Sequence, residues 1–99
     1  MARELALEQD CVDYAEAQGF VSRKMVYAGR RGCRDRDFYG FGHILPVEFK
    51  RKGKPLDAHQ DKERRRLAEA GVKVHVVDDY EAFVALVDKA RANPVRSIL

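Results

Sequence analysis

The run VKVHVV, residues 72 to 77, is a dense β-branched segment that follows a helical pattern stopped by Gly71. A strand reached through a helix cannot close a tight hairpin, so it joins its sheet by a parallel crossover. Upstream, three strand-like runs at 20–27, 35–39 and 43–50 are separated by turns alone, with GFG at 40–42 closing one of them. Strands joined in that way form an antiparallel meander. A helix over 3–18, closed by Gly19, precedes them. A second helix over 58–70 has Asp57 as its N-cap and Gly71 at its C-terminal end. A third covers 79–90 and Pro94 stops its extension. The order of elements predicts an α/β domain, with a mixed sheet flanked by helices.

The 99 residues are expected to form one domain over 1–99 with a single modest core. No run of 18 apolar residues occurs, and MARELALEQD is acidic where a signal peptide would be apolar. Two cysteines, Cys11 and Cys33, are too few for a disulfide framework or a zinc site. These features predict a reduced, cytoplasmic protein with no membrane partner.

The net charge of +3 conceals an asymmetry. Residues 23–66 hold 14 Lys and Arg against 6 Asp and Glu; the rest hold 5 against 10. A basic middle between acidic ends is the electrostatic footprint of a polyanion binder, although a merely solvated surface would have the same composition.

Three polar features interrupt apolar patterns. On the first helix, Leu5, Leu7, Cys11, Val12, Tyr14 and Ala15 form one broad face, and Glu8 falls inside it. A buried carboxylate there needs a partner, either a metal or a nearby Lys or Arg. In GCRDRDF, Asp35 and Asp37 alternate onto one face, where either could be a turn residue or point into a site. In PVEFK, Leu45, Val47 and Phe49 face the core, so Glu48 and Lys50 share the other side. A meander pairs the strands of Asp35 and Glu48 and brings the two carboxylates together. They repel unless one is protonated or a cation lies between them. Hard Mg²⁺ takes oxygen ligands, and the Phe49 carbonyl is a third candidate. Lys50 would hold a water or offset charge on a phosphate, which suits phosphodiester hydrolysis. Gln60, one turn into the second helix, faces the same region or is an ordinary exposed glutamine.

The strings GCRDRDF, VEFKRKGKPLDAHQ and LAEAGVKVHVV together resemble the VRR-NUC domain of the PD-(D/E)xK nuclease superfamily. Gly32, Asp35, Arg36, Glu48, Lys50, Gly53, Leu56, Gln60, Leu67 and Gly71 match its pattern, and Glu8 and Lys24 match its first helix and first strand. Arg34 stands where the family has Pro, which puts the rigidity of that loop in question. The resemblance spans residues 4 to 90 and implies a restriction-endonuclease-like α-β-β-β-α-β core. It implies Asp35, Glu48, the Phe49 carbonyl and Glu8 around Mg²⁺, with Mn²⁺ able to substitute. It further implies Lys50 as catalytic lysine, Gln60 orienting water or Lys50, and Lys24 on a phosphate. Arg30, Arg31, Arg36, Arg51, Lys52, Lys54, Arg64, Arg65 and Arg66 are the candidate DNA contacts. Stand-alone family members resemble phage or bacterial dimers acting on branched DNA, so the expectation is a Holliday-junction resolvase-like endonuclease. A flap or single-strand nuclease and a non-catalytic DNA-binding subunit are the competing expectations.

Overall fold

Phe41 and Gly42 both take positive φ, 54° and 82°, and so close a two-residue hairpin whose twist matches the strands it joins. That turn sets the register of the sheet. In the computed structural model, which describes residues 3–96, β2 (Arg36–Gly40) pairs antiparallel with β3 (His43–Phe49), Phe38 opposite Leu45 and Arg36 opposite Val47. β1 (Val21–Lys24) pairs antiparallel with the outer side of β2. β4 (His75–Val77) pairs parallel with β3, Glu48 beside Val76. The order β1-β2-β3-β4 is the mixed sheet the sequence predicts.

The pleat gives the sheet two unlike faces. Ser22, Phe38, Leu45, Val47 and Phe49 lie on one and are buried. They pack against α1 (Arg3–Ala17) through Cys11, Val12 and Ala15, and against α3 (Tyr80–Ala92) through Phe83, Val87 and Ala90. Phe83 meets Phe38 edge-on, with centroids 5.0 Å apart, a favoured aromatic geometry. The other face carries Asp37, Tyr39, Ile44 and Glu48 and lies toward α2 (Ala58–Glu69), a helix with no buried residue. The hydrophobic effect therefore acts mainly on one side of the sheet, and polar contacts hold α2 to the other.

Asp57 caps α2 by accepting from the His59 amide. At the other end Gly71, at φ +90°, donates to the Ala68 carbonyl while Val72 donates to Leu67, a Schellman closure. This turn takes the Val72 amide, and β4 begins three residues later than the β-branched run suggests. β1 is likewise four residues where eight are expected; beyond Lys24 a single bond, Met25 N–H to the Asp35 carbonyl, continues toward β2, and Val26 is exposed. Leu5, expected on the buried face of α1, is 56% exposed. Pro46 is buried within β3, and β4 pairs only from Val47 onward, so Pro46 stands short of the parallel ladder. After α3, Val95 donates to the Phe41 carbonyl at the tip of the β2–β3 hairpin. The contact is tight: a Cβ on Gly42 would lie 2.3 Å from the Val95 carbonyl oxygen.

Candidate metal and phosphodiester site

The β2–β3 register, extended by one step, sets Asp35 across from Glu48 on the face that looks toward α2. Glu48 is 3% exposed. Its Oε1 accepts from the Gln60 side-chain amide at 2.7 Å, which ties β3 to the first turn of α2. Asp35 Oδ2 accepts from the Phe49 backbone amide at 2.8 Å, beside the same point of β3. Asp35, Glu48, Phe49 and Gln60 are thus gathered from three elements distant in sequence.

Burial foremost, and then the facing Asp35, push the Glu48 carboxyl up to about 9; the Gln60 amide acts the other way. Two carboxyl groups converge in a poorly hydrated place. Two carboxylates and a neighbouring main-chain carbonyl are oxygen donors of the kind a hard divalent ion takes, and its charge removes the conflict between them. That donor set fits Mg²⁺. Among the described residues no three acidic, His or Cys side chains gather as a metal-holding group, so water would complete such a shell.

The remaining candidates are placed as follows. Glu8 Oε2 accepts from Arg36 Nε at 2.6 Å, and Lys24 Nζ lies 3.9 Å away. Arg36 also donates to Ser22 Oγ at 3.0 Å. Glu8 and Arg36 therefore meet on the α1 side of the sheet, while the Asp35–Glu48 pair faces α2. Lys50 Nζ donates to the Lys54 carbonyl at 2.7 Å and lies 3.5 Å from Asp78, at the end of the strands where β3 and β4 finish. Arg51, Lys52 and Lys54 are exposed in the turn beyond it, and Arg66 is exposed on α2. Arg64 and Arg65 both reach Asp61, Arg30 lies 3.7 Å from Glu63, and Arg31 is against His59. Both cysteines are free; burial pushes the Cys11 thiol up to about 12, so it is a packing group.

One cluster lay beyond sequence reasoning. Asp37, buried, accepts two parallel bonds from Arg34, Nε at 2.6 Å and the second guanidinium nitrogen at 2.7 Å, and a third from the Tyr39 hydroxyl at 3.0 Å. Arg34 reaches the Tyr27 hydroxyl, which donates to Glu63 of α2 at 2.8 Å. The alternation of Asp35 with Asp37 was the available signal, but nothing in the sequence assigned Arg34 as its partner.

No family model matches the sequence, and no curated protein matches it. A solved structure described as a VRR_NUC domain superposes with a TM-score of 0.77 at 29% identity, covering 94% of this chain and 98% of that one. The chain folds as a VRR-NUC domain. The likeness suggests a nuclease. Gly32, one of the glycines in the VRR-NUC resemblance, has a local reason here: it takes φ +89°, and an added Cβ would lie 2.4 Å from the His59 carbonyl oxygen of α2. No helix of the described residues is long and apolar enough to cross a membrane.

Proposed function

We propose that this VRR-NUC domain is a divalent-metal-dependent DNA endonuclease that hydrolyses phosphodiester bonds in branched DNA, acting as a Holliday-junction resolvase-like homodimer. The observation that carries the reading is the facing of Asp35 and buried Glu48 on one side of the sheet, with Gln60 fixing one of the two. Asp35, Glu48 and the Phe49 carbonyl would hold Mg²⁺, or Mn²⁺ in its place. Bound there, the ion would supply a Lewis acid toward a phosphoryl oxygen and make a water nucleophilic at neutral pH.

The protein's own groups divide the rest of the work. Gln60 keeps one Glu48 oxygen oriented, so that the carboxylate enters the site in one rotamer. Lys50 supplies positive charge beside the scissile phosphate. Its partners, the Lys54 carbonyl and Asp78, hold it at the strand ends until a phosphate competes for it. Arg51, Lys52 and Lys54 extend that charge along the flanking backbone and position DNA without reading its bases. Two copies related by a two-fold axis would present two such sites to opposed strands of a junction.

The test is cleavage of a four-way junction, a flap and supercoiled DNA with Mg²⁺ and with Mn²⁺, by wild type, Asp35→Asn and Lys50→Ala. Junction cleavage by wild type alone, with gel-shift binding kept in Asp35→Asn, is expected. Equal and null results for wild type and Lys50→Ala on every substrate would leave a DNA-binding subunit. Preference for the flap would replace the resolvase reading with a flap nuclease.

A further inference from the structure

Asp35 is tied to β3 by its own amide, which donates to the Val47 carbonyl at 3.1 Å, and to the end of β1 by Met25, which donates to its carbonyl at 3.0 Å; its carboxylate accepts from the Phe49 amide and faces Glu48. It sits where the loop from β1 enters β2, between Arg34 and Arg36, and the loop residues 28–31 before it are exposed. A carboxylate at such a junction is oriented only as well as the segment that carries it.

We infer that the Arg34–Asp37 fork is a positioning device for Asp35, added to the backbone bonds that carry it. The two side chains are joined by paired bonds of 2.6 and 2.7 Å across three residues, which closes a short ring of chain around Asp35. Both are largely buried, at 15% and 5% side-chain exposure, so the pair is little screened by solvent. Each end is anchored further. Tyr39 donates to Asp37 from within β2, and Tyr27 links Arg34 to Glu63 on α2. The fork thus ties residues 34 and 37 to both the sheet and the helix, and so stiffens the segment from which Asp35 faces Glu48. Arg34 and Asp37 are positioning residues; neither touches the reacting groups.

The inference rests on the proposed role of Asp35 as a metal ligand, and a direct binding measurement separates the two. Mn²⁺ affinity is read by electron paramagnetic resonance or calorimetry, without DNA, for wild type, Asp35→Asn, Arg34→Lys and the double variant Arg34→Met/Asp37→Leu. The double variant removes both buried charges together, so no ion is left unpaired and thermal stability is expected to stay near that of wild type. Arg34→Lys keeps the charge but cannot present two parallel N–H groups. Loss of a partner hydrogen-bonded directly to a ligand weakens metal binding by about 10- to 100-fold; the fork acts on Asp35 one step further out, through the backbone, so the lower end is expected. Both variants should bind Mn²⁺ about 10-fold more weakly than wild type, with the double variant still folded. Wild-type Mn²⁺ affinity in the folded double variant would reduce the fork to a purely structural pair and overturn the inference. Mn²⁺ binding that Asp35→Asn leaves unchanged, or no binding by wild type, would remove the metal-ligand reading itself, and this inference with it.

Discussion

Replacing Glu48 by Gln should make the metal-free protein more stable above neutral pH while abolishing cleavage. The Glu48 carboxyl is pushed from an ordinary 4.5 to about 9, by burial first and by Asp35 second. A carboxyl raised in this way binds its proton more tightly in the folded than in the unfolded chain. Its stabilising effect is complete below the ordinary value and is lost as pH climbs toward the folded one. The slope for one proton is about 1.4 kcal/mol per pH unit, so raising pH from 5 to 8 should cost up to about 4 kcal/mol. Water entering the site would lower that ceiling. The loss is large against a typical total of about 5–15 kcal/mol. Glutamine keeps the shape, still accepts from Gln60, and can donate to Asp35 as the protonated acid does. Urea titrations in EDTA at several pH values would give both curves. Their difference cancels groups common to both proteins, such as His75, whose pKa burial lowers and whose effect runs the opposite way. Wild type should fall away from Glu48→Gln as pH rises and meet it near pH 5. Saturating Mg²⁺ at pH 8 should then lift wild type alone, by about 2.7 kcal/mol at 100-fold over Kd. Parallel curves without Mg²⁺ would refute the placement of two carboxylates in one poorly hydrated site.

Three other substitutions probe the packing and the charge of the same fold. Gly32→Ala places a methyl 2.4 Å from the His59 carbonyl at a positive φ, and should destabilise the fold by about 2–4 kcal/mol in denaturant titrations. Phe38→Ala empties a fully buried site against Phe83 and should cost about 3–5 kcal/mol, seen as a lowered Tm. The double variant Lys52→Ala/Lys54→Ala should weaken junction binding at low salt and flatten the dependence of log affinity on log salt by about 2, with Tm unchanged.

Much of the architecture was legible because short-range rules and tertiary packing agree. Gly42 in the hairpin and Gly71 at the helix stop each take a positive φ that glycine adopts readily, while Phe41 holds φ 54° against its own preference; the strand order follows from the connections. The ends of strands were less legible. Val72 has the composition of a strand residue, but its amide is spent on closing α2, and β3 offers a partner only from Val47 to Phe49. The carboxylate pair could be found in the sequence because alternation and hairpin register are local properties, and both point Asp35 and Glu48 the same way. The choice between Arg36 and a metal as the partner of Glu8 was open, because it depends on a contact across 28 residues that no periodicity encodes. The turn of Lys50 toward Asp78 is hidden for the same reason.

The clasp between Val95 and Phe41 has a practical consequence for handling the protein. It puts the end of the described chain at the hairpin tip, and β3 runs seven residues, about 20 Å, from there to the carboxylates and the basic turn. An affinity handle, a fluorophore or a surface tether joined after this point would emerge at the pole away from the proposed DNA surface. Single-molecule cleavage on immobilised enzyme should then leave that surface open to a junction in solution.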